Sequence, residues 1–211
     1  MNASTQKLTL AGAAGAIEVL RDDPAPATDG AARGVAVIAH PHPLFGGTMD
    51  NKVVQTIARA FVQSGFSAVR FNFRGVGASA GEHDEGRGEA DDLLAVVEQV
   101  APEGPIAIAG FSFGAFVACR AIQALWGARE LPKIVLVGTA ASNFDVPPLP
   151  PEAHDLALVI HGEQDETVPF SAALDWARPQ RLPITVVPGG EHFFHGQLPL
   201  LKNLVLRHLR S

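Results

Sequence analysis

Short apolar runs alternate along this chain with longer runs in which apolar residues recur every three or four positions. Residues 34–40 are almost wholly apolar, which is typical of a strand buried on both faces. Residues 51–64 place their apolar side chains on one helical face. The same patterns predict strands at 67–73, 106–109, 134–138, 156–161 and 184–187, and helices at 88–100, 113–128, 171–177 and 198–209.

The order of these elements predicts an α/β architecture. Strands that alternate with helices form a mostly parallel sheet with helices on both faces. Residues 7–10 and 16–20 are two short strands with no helix between them, so we expect them to be antiparallel at the sheet edge. A polar stretch at 22–33 then leads into the core. With about eight strands and no evident linker, residues 1–211 are expected to form one domain.

Composition narrows the possible functions. Hydrophobic residues make up 47% of the chain and charged residues 18%, as in globular proteins. The net charge of −6 argues against binding to nucleic acid or to an anionic membrane. No signal peptide or membrane-spanning run is evident, so a cytoplasmic location is expected. The only cysteine is Cys119, which excludes an internal disulfide.

The most informative motif is Gly-Phe-Ser-Phe-Gly at residues 110–114. It fits the G-x-S-x-G pattern of a nucleophile elbow, and a predicted strand enters it while a predicted helix leaves it. In such an elbow the serine occupies a strained turn at the carboxyl end of the sheet. We therefore expect Ser112 to be a nucleophile and the Phe113 N–H to face a developing oxyanion.

A serine nucleophile needs a histidine base, and the histidine needs a carboxylate that fixes its tautomer. Where this elbow occurs, the chain order is serine, then aspartate or glutamate, then histidine. Asp165 directly follows the strand at 156–161 and is the favoured acid. Glu163 and Glu166 are the competing carboxylates, and both are expected on the loop surface.

His192 is the favoured base because it follows the last predicted strand in a glycine-containing loop that can reach over the sheet end. His195, three residues later, is the competing candidate for the base. The alternative interpretation of His195 is a surface histidine just before the final helix. Three further histidines, His83, His154 and His208, are expected to be exposed.

A second oxyanion donor should come from the loop at 40–47, His-Pro-His-Pro-Leu-Phe-Gly-Gly. Pro41 and Pro43 have no N–H, so the donor is the N–H of His42 or of Leu44. A zinc site at His40 and His42 is disfavoured because no Glu or Cys falls at the usual ligand spacing. We expect neither a metal nor another cofactor.

These motifs together resemble a known family. The segments at 40–51, 70–77, 110–114, 161–165 and 192–196 are similar to those of small bacterial α/β-hydrolases without a lid. The serine carboxylesterases and the dienelactone-hydrolase-like proteins are the most similar members. The resemblance implies the α/β-hydrolase fold, with Ser112, Asp165 and His192 as a triad. Dienelactone hydrolases proper carry cysteine at the elbow, so the serine here argues against a dienelactone substrate.

The resemblance also implies an activity. It predicts hydrolysis of a small-molecule, short-chain carboxylic ester through an acyl-enzyme. Residues 140–155 occupy the place of a helical cap but are too short and too rich in proline to form one, so the site should be open to solvent. A thioesterase, peptidase or acyltransferase would use the same triad, and a non-catalytic binding protein could share the fold. The sequence does not indicate the oligomeric state.

Overall fold

The short apolar runs form one eight-stranded sheet in a computed structural model, which describes residues 5–25 and 33–211. The strand order is β1-β2-β4-β3-β5-β6-β7-β8. Residues 26–32 of the predicted stretch at 22–33 lie outside the described residues. The strands are β1 Gln6–Gly12, β2 Gly15–Asp22, β3 Val35–Ala39, β4 Ser67–Phe71, β5 Ile106–Phe111, β6 Ile134–Val137, β7 Ala157–Gly162 and β8 Ile184–Val187.

The second strand runs against the rest of the sheet. β1 pairs with β2 in antiparallel register, and β2 pairs antiparallel with β4. All other neighbouring strands are parallel. The predicted antiparallel pair at the sheet edge is thereby confirmed. Because the six strands from β3 to β8 point the same way, their carboxyl ends meet along one edge, where ligands bind in such sheets.

Helices cover both faces of the sheet, as predicted. On one face, α2 and α3 pack on a core that includes Val37 and Ile108. On the other, α1 and α5 pack on a core that includes Ile38 and Phe111. The alternation of side chains along β3 and β5 sends neighbouring residues to opposite faces. The helices are α1 Lys52–Gln63, α2 Arg87–Val100, α3 Phe113–Leu125, α4 Phe170–Ala177 and α5 Leu198–Arg210.

Most predicted bounds agree within one or two residues, and the differences have local causes. β5 continues through Gly110 and Phe111, because these residues remain paired with β6. α3 ends three residues early, since Trp126 is extended and Gly127 has a positive φ of 80°.

The proline-rich segment between β6 and β7 carries a 3-10 helix at Pro151–Leu156, and its described residues form no helical cap. No helix in the described part of the chain is long and apolar enough to cross a membrane.

Candidate active site

Ser112 occupies the sharp turn between β5 and α3. Its φ of 57° and ψ of −118° lie in a region that non-glycine residues rarely adopt, which costs about 1–3 kcal/mol. The turn is anchored because the Ser112 N–H donates to the Val137 carbonyl at 2.8 Å. The strained backbone therefore holds the hydroxyl at the carboxyl edge of the sheet.

The two glycines of the motif allow this turn to pack closely. A Cβ on Gly110 would lie 2.2 Å from the Gly114 carbonyl oxygen, and one on Gly114 would lie 2.4 Å from the Ala39 carbonyl oxygen. Any side chain at either position would collide with main chain, which cannot shift cheaply. The start of α3 consequently rests against the end of β3, where the loop at 40–47 begins.

His192 bridges Ser112 and Asp165. Its Nε2 lies 3.0 Å from the Ser112 Oγ, and its Nδ1 lies 2.7 Å from the Asp165 Oδ2. All three side chains are buried. The Phe111 and Phe193 rings lie 4.9 and 5.0 Å from the imidazole, so packing fixes the ring as well as hydrogen bonding. The structure thus brings the three residues of the predicted triad within hydrogen-bonding reach.

The rival residues point elsewhere. The Glu163 carboxylate accepts a hydrogen bond from the Gly189 N–H at 2.9 Å. Glu166 is exposed. His195 lies on the surface with 71% of its side chain exposed and contacts Glu191 at 3.0 Å. None of these three contacts Ser112 or His192 through a hydrogen bond within the described ranges.

The Asp165 carboxylate is held by its own loop. Its Oδ1 accepts from the Thr167 and Val168 N–H groups at 3.0 and 2.7 Å. The buried His161 supports the loop from below: its Nε2 donates to the Val168 carbonyl at 2.8 Å and lies 3.5 Å from the Asp165 Oδ2. Burial lowers the pKa of His161, which favours the neutral ring.

This arrangement can activate a hydroxyl. An ionised Asp165 opposite Nδ1 requires the proton of neutral His192 to be on that nitrogen. Nε2 is then left free to accept the Ser112 hydroxyl proton. The chemistry available is therefore nucleophilic attack by Ser112 with His192 as general base.

Two backbone N–H groups next to Ser112 are unpaired. Neither the Phe113 N–H nor the His42 N–H has an acceptor among residues 5–25 and 33–211. The Leu44 N–H, by contrast, donates to the His42 Nδ1 at 3.2 Å. Of the two alternatives left open by the sequence, His42 is therefore the one with a free donor.

His40 fixes the orientation of that donor. Its buried ring has Nδ1 2.6 Å from the Pro41 carbonyl oxygen, and its Nε2 accepts from the Phe73 N–H at 3.0 Å. The Pro41 carbonyl and the His42 N–H belong to one trans peptide and point in opposite directions. Holding the carbonyl thus sets the direction of the N–H. Burial lowers the pKa of His40 to about 4, so the ring stays neutral.

Comparisons with known proteins agree with this geometry. Residues 30–157 match the family described as serine aminopeptidase, S33. Over the whole chain, the protein is 38% identical to XC6422 of Xanthomonas campestris, an α/β serine hydrolase without a lid, at a TM-score of 0.85 and with 95% of that chain covered. The chain is an α/β serine hydrolase.

Two further relatives extend this result. An α/β serine hydrolase homologue from Coxiella burnetii is 36% identical, with 96% of each chain covered and a TM-score of 0.77. The uncharacterized protein RP471 of Rickettsia prowazekii is 42% identical over 93 residues. That match covers 42% of this hydrolase and 39% of RP471, so less than half of RP471 is spanned.

The hydrolase holds one histidine close to Ser112 that the sequence analysis placed on the surface. Only 13% of the His83 side chain is exposed, and its Nδ1 lies 2.8 Å from Oε1 of the fully buried Glu89. The two atoms do not form a hydrogen bond. The His83 ring packs 4.8 Å from His42 and 5.4 Å from Phe113.

The expectation of three exposed histidines was therefore wrong. His154 and His208 are also partly buried, and the His208 Nε2 lies 3.1 Å from the Leu156 carbonyl oxygen. His83 and His208 contact residues distant in the chain, so local polarity gave no indication of their burial. The sequence feature that could have indicated the burial of His83 is Glu89. This residue caps α2 by accepting from the Gly86 N–H at 2.8 Å.

A cavity of about 310 Å³ opens beside Ser112 in the hydrolase. Its wall is mainly apolar and aromatic, and includes His42, Phe45, Phe113, Ala140, Phe144 and Val168. A second cavity of about 310 Å³ lies on the His192 side and has a polar wall that includes Gln164, Glu166 and Glu191. The site is thus a cleft with two unlike sides.

Proposed function

We propose that this protein hydrolyses short-chain carboxylic esters through an acyl-enzyme intermediate on Ser112. The observation that carries the proposal is the position of His192, with Nε2 3.0 Å from the Ser112 Oγ and Nδ1 2.7 Å from the Asp165 carboxylate. Distances of this size allow proton transfer from the hydroxyl to the ring. The proposal needs no metal or cofactor.

In the proposed first step, the Ser112 Oγ attacks the ester carbonyl carbon while its proton passes to the His192 Nε2. The negative charge then forming on the carbonyl oxygen is stabilised by the N–H groups of Phe113 and His42. His192 next gives its proton to the leaving alcohol oxygen as the carbon–oxygen bond breaks. Ser112 is left as an acyl ester.

In the second half, water replaces the alcohol. His192 takes a proton from the water, whose oxygen attacks the acyl carbon through the same oxyanion geometry. Collapse of this intermediate breaks the bond to the Ser112 Oγ and returns the proton from His192 to that oxygen. Asp165 remains ionised throughout and stabilises the transient imidazolium.

The substrate is proposed from the wall of the cavity. An aminopeptidase, the activity in the description of the matched family, must hold a free ammonium group beside the scissile bond. No carboxylate is present among the described residues that line the cavity at Ser112, which favours a neutral acyl group over an amino acid. Without a helical cap over the described site, a small ester reaches Ser112 directly from solvent.

The test is hydrolysis of p-nitrophenyl acetate and butyrate by the wild type and by Ser112→Ala. We expect Ser112→Ala to lose activity by at least about 10³-fold with an unchanged melting temperature. Labelling by a fluorophosphonate should modify Ser112 in the wild type, as located by peptide mass spectrometry. Ser171→Ala, an exposed serine on α4, is the matched control and should remain fully active.

Two outcomes would overturn the proposal. Full hydrolysis by Ser112→Ala would remove Ser112 from the mechanism. No labelling and no hydrolysis of any ester by the wild type would instead favour a binding protein on this fold. Parallel assays with acyl thioesters and aminoacyl anilides distinguish an esterase from a thioesterase or a peptidase.

A further inference from the structure

We infer that the two sides of the cleft bind different halves of the ester, and that the aromatic side selects esters of aromatic carboxylic acids with a short linker. This inference rests on the proposed function and specifies its substrate class. The aromatic side is the wall formed by Phe45, Phe113, Phe144 and Val168. The polar side is the wall formed by Gln164, Glu166 and Glu191 next to His192.

The direction of proton transfer assigns the two halves. In the tetrahedral intermediate, the carbonyl oxygen points at the N–H groups of Phe113 and His42. The leaving oxygen must lie near the His192 Nε2, because that nitrogen protonates it. His192 lines the polar side and not the aromatic side. The alcohol therefore leaves over the polar side, and the acyl substituent is directed to the aromatic side.

The aromatic side has a built shape. The Phe144 ring stacks on Phe116 with centroids 4.8 Å apart and an interplanar angle of 11°, and it meets the Phe113 ring edge-on at 5.2 Å. Packing against these two rings fixes the position of the Phe144 ring. A ring entering the cavity can make further edge-to-face contacts at the usual centroid distances of about 4.5–7 Å.

The cavity on the aromatic side also limits the size and the charge of the acyl group that can bind. A volume of about 310 Å³ is at the lower end of the range for small-molecule pockets, which suits one ring and a short linker better than a long alkyl chain. Burial lowers the pKa of His42, so the imidazole in this wall is neutral at pH 7. Among the described residues, no carboxylate, lysine or arginine lines the cavity, and its polar side chains besides His42 and Ser112 are the uncharged Asn143 and Thr167, so a charged acyl group would lose hydration without gaining an ionic partner.

Phe45 forms the outer rim of the aromatic side. Its ring is 86% exposed at the rim of the cavity and lies 4.8 Å from the His42 ring. An aromatic acyl group that packs against this ring would remove apolar surface from water on both partners. The polar side offers one ring, Phe193, among the exposed carboxylates of Glu166 and Glu191. Selectivity should consequently be strong for the acid and weak for the alcohol.

The experiment measures kcat/KM for two series of esters. The first holds p-nitrophenol constant and varies the acid: acetate, butyrate, phenylacetate and 3-phenylpropionate. The second holds the preferred acid constant and varies an uncharged alcohol. We expect 3-phenylpropionate to exceed acetate by about tenfold or more, with less than about threefold variation among alcohols. Mass spectrometry should detect the phenylpropionyl group on Ser112.

Variants on the two sides then test the assignment. Phe144→Ala should lower the ratio of 3-phenylpropionate to acetate by about tenfold. Phe144→Leu keeps the side chain apolar and should lower the ratio less, which guards against a loss of folding in the alanine variant. Leu200→Ala, at an exposed position on α5, is the remote control and should not change the ratio. Phe193→Ala, on the polar side, removes a ring packed on His192, so it should lower kcat/KM for both acids alike and leave their ratio unchanged.

A ratio near one in the wild type, or a ratio that changes in Phe193→Ala and not in Phe144→Ala, would overturn the inference. Either result is compatible with Ser112-dependent hydrolysis of acetate, so the proposed function would survive it. Loss of all Ser112-dependent hydrolysis and labelling would instead contradict the proposed function, and the inference with it.

Discussion

The two sides of the reaction centre are built by different means. The elbow side, formed by Ser112, Phe113 and His42, lies at the ends of the central strands β3 and β5 and presents main-chain N–H groups held by close backbone packing. The loop side, formed by Asp165 and His192, follows β7 and β8 at the far end of the sheet. It presents side chains held by hydrogen bonds to one another and to their loops.

This difference predicts how each side responds to substitution. Apart from the Ser112 hydroxyl, the elbow side contributes N–H groups of the backbone, which a point substitution leaves in place and can only disturb indirectly. The loop side loses its chemistry when a single carboxylate or imidazole is replaced. With the nucleophile Ser112 set apart, we therefore expect the largest effects on activity at the loop side and graded effects at the elbow side.

The largest effect is expected for Asp165→Asn. Asparagine can still accept from the Thr167 and Val168 N–H groups, so the loop should keep its shape. Its amide N–H₂ would face the His192 Nδ1, however, and would stabilise the tautomer whose Nε2 carries the proton. We expect kcat for p-nitrophenyl butyrate to fall by about 10³–10⁴-fold, measured together with the melting temperature.

Glu166→Gln is the matched control for this prediction, because it neutralises the adjacent, exposed carboxylate. It should retain kcat for uncharged esters within about twofold. If Glu166→Gln were as damaging as Asp165→Asn, the choice of the acid would be wrong. Equal activity of Asp165→Asn and the wild type would remove the carboxylate from the mechanism.

A smaller effect is expected for His40→Gln, which disturbs the elbow side indirectly. Glutamine cannot reproduce both hydrogen bonds, to the Pro41 carbonyl and from the Phe73 N–H, so the peptide that carries the His42 N–H should lose its fixed orientation. Complete loss of an oxyanion donor costs about 10²–10³ in kcat, and we expect a partial loss of about 10–10²-fold. KM should change little, because the N–H acts chiefly in the transition state.

His208→Gln is the control for a general loss of stability. His208 is another partly buried histidine, but it lies on α5 and contacts the Leu156 carbonyl away from Ser112. Its replacement should lower the melting temperature without lowering kcat. A His40→Gln variant that loses stability but keeps the wild-type kcat would show that His40 has no part in positioning the donor.

The same two sides differ in how far the sequence predicts them. The elbow side is encoded locally, because Gly110 and Gly114 are required by contacts within a few residues and with the adjoining strand. The strand at 184–187 was likewise predicted with the bounds that the structure has, since its apolar run is bounded by prolines at 183 and 188.

The loop side depends on contacts between distant segments. The sequence ordered Asp165 before His192 but could not show that Glu163 turns toward the Gly189 N–H, 26 residues away. For the same reason it placed His83 on the surface, although that ring packs against His42 and Phe113. The fold was therefore predictable from periodicity, whereas the choice between neighbouring polar residues required the tertiary contacts.

A third prediction concerns the stability of the protein at acid pH, because the elbow side and the loop side each contain a buried neutral histidine. The pKa of His40 is lowered to about 4 and that of His161 is lowered as well, both chiefly by burial. Unfolded histidine takes up its proton near pH 6.5. The unfolded state therefore binds more protons between pH 6.5 and 4, and stability is lost as the pH falls through that range.

The contribution from His40 is roughly 3 kcal/mol by this linkage. Urea unfolding of the wild type should show the free energy of unfolding decreasing from pH 7 to pH 4. His40→Gln and His161→Gln should each flatten this dependence, while His208, with a pKa also lowered to about 4, continues to contribute in both. A dependence that is unchanged in His40→Gln would mean that His40 is protonated in the folded protein.

The smallest effect concerns the remaining alternative at the elbow side. Incorporation of the α-hydroxy analogue of leucine at position 44 replaces the Leu44 N–H by an ester oxygen and leaves the side chain unchanged. Because this N–H already donates to the His42 Nδ1, its loss should change kcat by less than about twofold, whereas phenyllactic acid at position 113 should lower kcat by about 10²–10³-fold. A loss at position 44 as large as that at position 113 would make Leu44 the second donor. The role of His40 in orienting the His42 N–H would then also be contradicted, because that N–H would no longer be an oxyanion donor.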